Sequence, residues 1–381
     1  MTESAAVTPD GELKLLAETC DALFGDQASD QAGAQAGDHA GGRDGLWNER
    51  LWAALEEAGL PLISVPEAAG GSGGSLEHAA VVATCAGEHA AMVPAAETAL
   101  LGGWLLAEAG LPVPSGPLVA VRAPAKPNGG AGTVSLTRVP DGWLVRGRLP
   151  RVGWGRVAAR VVVLGEADGA ELAVALSPGD VTVNPGSNVA GEPRDDLIVD
   201  TVAARAAVAE VTGGTGQVLR LRAGLARVLL ISGAMGRALD LTVRYAGERQ
   251  QFGRSLGSFQ AIQQQIAELA AETAAVRAAA DAAVGRCAAD GFAGPGAWFA
   301  VASAKVQAAR GATVAARIAH QVHGAIGFTQ EHALRLTTTR LWAWRDEAGS
   351  PAEWADELGR HVLAGGPLWP AITDRQGEQR G

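Results

Sequence analysis

Apolar positions along this chain follow three regimes. Through residues 1–115 they recur at the spacing of a helix that buries one face. Through 116–205 they fall into short runs, and from 206 to 381 the helical spacing returns. In the first regime "GELKLLAETCDALFG" and "LWNERLWAALEEAGL" each read as a helix closed by glycine. The Gly/Ala/Gln/Asp-rich "DQASDQAGAQAGDHAGGRDG" between them reads as a mobile loop. "VPEAAGGSGGSLEHAAVVATCAGEHAA" then gives a Gly-rich loop with Ser75 placed to cap the next helix. Such a loop could cradle a phosphate, but no strong strand precedes it and no Lys-Ser/Thr pair ends it. It reads as a turn.

The middle regime holds "GPLVAVRAP", "GTVSLTRV", "GWLVRGRL", "RVAARVVVLGEA", "ELAVALSP" and "DVTVNPGS", β-branched runs separated by Gly, Pro, Asn and Asp. That spacing predicts a small antiparallel sandwich or barrel, and the absence of a strand–glycine turn–helix unit argues against a dinucleotide fold. In the third regime "GQVLRLRAGLARVLLISGAMGRALDLTVRYAGERQQFG" reads as one long helical segment. Another begins at "SFQAIQQQIAELAAE", with Phe259, Ile262, Ile266, Leu269, Val276 and Val284 close to one stripe. "GAWFAVASAKVQAARGATVAARIAHQVHGAIG", "LRLTTTRLWAWRDEAG" and "PAEWADELGRHVLAGG" continue the pattern. The fold class is α+β multidomain, mainly α. It comprises an N-terminal helical domain (1–115), a small antiparallel β domain (116–205) and a C-terminal four-helix bundle (206–381).

Composition narrows the function. Aromatic residues are only 4%, so Ala, Leu and Val must build the core, which favours close helix packing. A net charge of −10 argues against nucleic acid as partner. Lysine occurs only at Lys14, Lys126 and Lys305, so nearly all positive charge is arginine. Cys20, Cys85 and Cys287 match no metal-ligand spacing and suit a reducing cytoplasm. No secretory leader or membrane span is expected, and the chain reads as cytoplasmic. His323 and His332 have no companion at metal spacing and read as structural, so no metal is expected. In "RLWAWRDEAG", Trp342 and Trp344 read as core or interface anchors.

One stretch resists a purely structural reading. "GERQQFGRSLGSFQAIQQQIAE" places Arg249, Gln250, Gln251 and Phe252 at the corner between two long helices, where a turn needs only Gly, Asn or Asp. "YAGERQQFGRSLGSFQAIQQQIAELA" and "QVHGAIGFTQEHALRL" resemble strings of the acyl-CoA dehydrogenase family. "LWAALEEAGLPLISVPEAAGGSGGSL" and "GEPRDDLIVD" resemble its N-terminal domain and the end of its β domain. These strings span most of the chain in the family's order. The resemblance implies FAD as cofactor, an acyl-CoA substrate, an oligomer (homo- or heterotetramer), a role in lipid metabolism and reoxidation by an electron-transferring flavoprotein. Carried over by position, Arg249 would neutralise the pyrophosphate of a neighbouring subunit's FAD. Gln251, Phe252 and Gln260 would line that cofactor, and Gln321, Gly324 and Ala325 its adenosine end.

The family's reaction needs a carboxylate that removes the α proton while the β hydrogen leaves as hydride to flavin. The resemblance puts that base on Ala348, one residue past Glu347. Glu347 is therefore the candidate base and Asp346 the next, and the alternative family position maps near Ala223, which has no carboxylate. The flavin-facing strings of the β domain are replaced here by "VRAPAKPNGGAG" and "GRLPRVGWG". Arg151 stands where an aromatic residue is expected, with Trp154 nearby. Two functions follow: an FAD-dependent acyl-CoA dehydrogenase working through Glu347, or a non-catalytic subunit of a heterotetramer that lends Arg249, Phe252 and Gln321 to a partner's cofactor. A helical scaffold without cofactor is the third reading.

Overall fold

The computed structural model describes residues 9–37, 47–123, 134–329 and 332–364, with side chains omitted for 9–10 and 26–37. Its N-terminal part is helical: α1 (Pro9–Gly37), α2 (Glu49–Glu57), α3 (Leu76–Glu88), α4 (Ala95–Glu97) and α5 (Gly103–Glu108), the last two joined by a π-type turn over Thr98–Gly102. Helix α1 runs through Gly25 and takes in 26–37, so the first part of the expected mobile loop is helix; residues 38–46 lie outside the described residues. The Gly-rich loop before α3 spends its donors on its own chain. Gly71, Gly73 and Gly74 N–H groups donate to Pro66, Val65 and Ile63 carbonyls at 3.1, 2.9 and 2.7 Å, which leaves none of the three for a phosphate. Ser75 sits at the N-cap of α3, its own N–H donating to His78 Nδ1 at 3.1 Å.

Among the described residues eight strands follow: β1 (Leu118–Arg122), β2 (Val134–Val139), β3 (Gly142–Gly153), β4 (Arg160–Ala167), β5 (Ala170–Leu176), β6 (Val181–Asn184), β7 (Arg194–Ala204) and β8 (Val208–Val211). They form two four-stranded sheets, ordered β1-β4-β5-β8 and β2-β3-β7-β6. The pairing is antiparallel except that β1 runs parallel to β4. Strand β8 corrects the expectation that helix resumes at 206. The run "RVVVLG" in β4 is apolar on both faces because both are covered. Val161 and Val163 face the inter-sheet core, while Val162 and Leu164 join the core shared with the helices.

The remaining helices are α6 (Thr215–Glu248), α7 (Gln260–Asp290), α8 (Ala297–His323), α9 (Ala333–Arg345) and α10 (Pro351–Ala364). Helix α6 packs on α7, α8 and α9, and on α3 from the N-terminal part. Leu269, Val276 and Val284 of α7 are buried, with Ile262 and Ile266 packed against the same core. No described helix is long and apolar enough to cross a membrane.

Glycine sets how closely α3 and α6 cross. A Cβ on Gly233 would lie 2.0 Å from Thr84 O, and one on Gly87 would lie 2.1 Å from Leu230 O. Neither carbonyl can move without its helix. Gly233→Ala should therefore cost about 1–3 kcal/mol or more by forcing the helices apart. Gly236→Ala, one turn on with nothing within 4 Å of its Cβ, should stabilise α6 by about 0.5–1 kcal/mol. Thermal unfolding of both variants checks the pair, and equal effects would exclude the crossing as the cause.

Candidate active site and an exposed corner

Glu347 lies in the turn after α9, and three segments converge on it. Arg194, at the start of β7, donates from Nε and Nη2 to its two oxygens, both at 2.7 Å. Arg227 on α6 lies 3.0 Å from Oε2 through Nε, and Asn188 Nδ2 donates to Oε1 at 3.1 Å. Arg227 also donates from Nη2 to Glu97 on α4 at 2.7 Å. Glu192 accepts from Arg194, Asn188 and Trp344 Nε1 at 3.0, 2.9 and 2.9 Å and lies 3.3 Å from Arg340 Nε. Three guanidinium groups thus meet three carboxylates in one mostly buried network, which leaves no net charge among them.

The network sets the protonation of its members. Burial alone would raise the Glu347 pKa, but Arg227 and Arg194 override it and hold the carboxyl down at about 2. Burial also works against the Arg194 charge, and Glu347 and Glu192 more than offset it, so its pKa rises. Beneath the same turn, fully buried Lys305 donates to the Arg345 carbonyl at 2.8 Å, closing the C-terminus of α9. Burial, with Arg227 nearby, lowers the Lys305 pKa to about 8.

A cavity of about 620 Å³ opens beside this network, lined among others by Arg151, Asn188, Arg227, Trp342, Glu347 and Ala348. Arg151 sits in a β-bulge, where the β3–β7 register shifts between Leu149 and Val152, and has φ of 54°. Ala348, in the turn after α9, has φ of 56°, so two L-residues in a strained conformation border one cavity. Trp154 is buried within the inter-sheet core and is absent from the lining. Trp344 is buried, and Trp342 stacks on His320 at 5.5 Å.

The corner residues lie elsewhere. After α6 the chain forms a two-stranded ribbon, β9 (Gln250–Gln251) and β10 (Arg254–Ser255), with Phe252 and Gly253 at its tip. Both tip residues have positive φ, 53° and 79°. A two-residue hairpin turn of type I′ has positive φ at both central positions; glycine meets it freely and phenylalanine only with strain. Phe252 is nevertheless 90% exposed, and Arg249 and Gln251 are exposed beside it. Gln260 is exposed at the start of α7, and Gln321, Gly324 and Ala325 are exposed at the end of α8. The ends of α6 and α8 meet where Tyr245 stacks on His323 at 4.4 Å, so both strings occupy one end of the bundle. His323 and His320 are buried there, and His332 caps α9 by accepting from Leu334 N–H at 3.1 Å. Glu347 stands beyond the opposite end of α9, a helix about 20 Å long.

The sequence reading singled out Glu347 and Arg151 but missed Glu97, Glu192, Arg194, Arg227 and Lys305. A signal was available. Arg227 and Glu97 are lone charges inside the apolar runs "AGLARVLLIS" and "AAETALLG", where an unpaired charge could not be buried.

The fold, with N-terminal helices, two small sheets and a C-terminal helical bundle, is shared with solved structures of known proteins. A family model, the acyl-CoA dehydrogenase C-terminal domain, matches residues 214–346. Acyl-CoA dehydrogenase IpdE2 of Mycolicibacterium smegmatis is 31% identical over 92% of this chain and 99% of its own length. Acyl-CoA dehydrogenase FadE27 of Mycobacterium tuberculosis is 30% identical over 75% of this chain and 80% of its own. The crystal structure of the ChsE4–ChsE5 complex from Mycobacterium tuberculosis has the same fold, with TM-score 0.80 and 22% identity over 93% of this chain and 98% of that one. The chain belongs to the acyl-CoA dehydrogenase family, FAD-dependent oxidoreductases of lipid metabolism that act on CH–CH bonds.

The depressed carboxyl has a direct consequence. With a folded pKa of about 2 against an ordinary 4.5, Glu347 contributes stability that is fully present above 4.5 and is lost as pH falls toward 2. Its magnitude is about 3 kcal/mol. Glu347→Gln should be less stable than the parent by about 3–5 kcal/mol at neutral pH, because two guanidinium groups lose a buried partner. That gap should narrow as the pH drops below 4.5. Urea unfolding of both proteins between neutral and acid pH measures it, and a pH-independent gap would show that the ion pairs do not set it.

Proposed function

We propose that this chain works in FAD-dependent dehydrogenation of an acyl-CoA thioester as the non-catalytic subunit of a heterotetramer, lending side chains to the cofactor of a partner subunit. The carrying observation is the state of Glu347. A base for an α proton must be unprotonated and keep its basicity. Glu347 is unprotonated, but bidentate pairing with Arg194 and contact with Arg227 leave it a weak proton acceptor. Asp346 is spent on Arg345, which donates to it from Nε and Nη2 at 3.1 and 2.9 Å.

The cavity beside Glu347 fits a flavin ring poorly. Arg151 borders it where a flat apolar wall would be needed, Trp154 is buried away from it, and Trp342 already stacks on His320. The corner fits the cofactor of another chain better. Arg249 offers forked donors suited to pyrophosphate oxygens, Gln251 and Gln260 offer carboxamides, and Phe252 offers an exposed ring. Gln321, Gly324 and Ala325 lie at the same end, where small residues allow a nucleotide to approach the backbone. Bound FAD would supply the hydride acceptor, and an electron-transferring flavoprotein would reoxidise it. A known assembly of two differently named chains, ChsE4–ChsE5, shares this fold and supports a two-chain assembly here.

Purified alone, the chain should lack visible flavin absorbance and acyl-CoA turnover; co-expressed with a catalytic homologue from its own source, it should yield a yellow, active complex. Arg249→Ala should weaken FAD retention in that complex about tenfold or more, the loss of one charge-assisted contact. Flavin content and turnover by the isolated chain would overturn the reading and return Glu347 to the role of base.

A further inference from the structure

We propose that the cavity beside Glu347 is a binding site for a small carboxylate-bearing molecule, whose carboxylate takes the place of the Glu347 side chain between Arg194 and Arg227. The inference goes beyond the subunit reading and does not require FAD. Four observations converge on it. Arg194 and Arg227 are each more than nine-tenths buried and aim at one carboxylate, so the site is already built for that group. The occupant is a side chain from a turn, not from a helix, and the turn carries positive φ at Ala348 and Gly349 in succession, 56° and 97°. A segment held in that conformation can leave with a gain from relieved strain.

The third observation is an orphan. Arg227 Nη1 is buried with no hydrogen-bond partner in the chain, although Nε and Nη2 are both engaged. A guanidinium rarely keeps a buried donor unpaired, and this residue borders the cavity. Fourth, exposed Arg151 at the cavity wall uses its backbone N–H on Asp196 at 2.9 Å, while no ion pair of its guanidinium is found among the described residues. It would meet a second polar group of the ligand, or draw an anion in.

Exchange of one carboxylate for another keeps both guanidinium groups neutralised, so the large cost of opening a buried ion pair is not incurred. The opposing term is mass action. Glu347 is tethered and competes at an effective concentration of about millimolar or more. Binding to the parent chain should therefore be weak, and removal of the competing carboxylate should strengthen it.

The test uses hexanoate and hexanamide, which share a shape and differ in charge, titrated into the full-length chain by calorimetry and by thermal shift. The parent should bind hexanoate and not hexanamide. Glu347→Gln should bind hexanoate at least tenfold more tightly and regain thermal stability as hexanoate is added. Arg151→Ala, at an exposed position that does not depend on the network for folding, should weaken hexanoate binding severalfold with its melting temperature unchanged. This variant keeps the test decisive if Glu347→Gln fails to fold. A parent chain that binds neither compound, or both equally, overturns the proposal. Neither outcome bears on flavin retention at the corner, so the two readings fail separately.

Discussion

A single carboxylate held by two arginines fixes the relation between the parts of this molecule. Glu347 follows α9, Arg194 begins β7, Arg227 sits midway along α6, and Glu97 lies on α4. Each residue is remote in sequence from the others, and each would be intolerable where it stands without them. Taking six charges out of water is recovered only when every one meets a partner at close range. The network therefore forms as a unit, and sheet, bundle and N-terminal helices must all be in place for it to close.

The other site obeys the opposite rule. At the ribbon tip the chain accepts a left-handed phenylalanine, then leaves the ring in solvent with Arg249 and Gln251 beside it. Within the subunit the ring meets only the edge-to-face packing of Phe259, with centroids 6.2 Å apart, among the described ring contacts. Strain at Phe252 and a ring still 90% exposed leave most of that apolar surface open. One end of the bundle is thus directed outward, while the ion-pair cluster beyond the far end of α9 is closed on itself.

Much of the fold was legible because its signals are local. The stripe through Leu269, Val276 and Val284 and the cap at Ser75 depend on neighbours within a few residues. Where reading failed, the cause was distance or context. Helix α1 continues through Gly25 into the Ala/Gln segment because glycine lowers helix propensity without forbidding it. The parallel β1–β4 pair and the short strand β8 are set by the sheet they join, not by their own residues. The candidate site was half visible: Glu347 could be located by register, but its partners come from three separate segments, and only the lone charges in apolar runs hinted at the wider network. That is why register alone nominated Glu347 as a base, while the contacts describe a clamp.

Clamp and base make opposite demands on the carboxylate. Basicity toward a carbon-bound proton requires that the carboxylate be poorly neutralised, and burial without partners would raise its pKa. Here Arg194 and Arg227 drive it the other way. Lys305, itself lowered to about 8 by burial, adds a further cation beneath the same turn and holds the carbonyl two residues ahead of Glu347. Each cation that fixes the side chain in place also lowers its affinity for a proton. A catalytic carboxylate at this position would need Arg194 and Arg227 removed or turned toward something else. The second condition is what a competing anion would meet: with both guanidinium groups occupied by a ligand, Glu347 would be free of them. In this fold the step from clamp to base is therefore a change of partner for two arginines, not a change of residue at the base position.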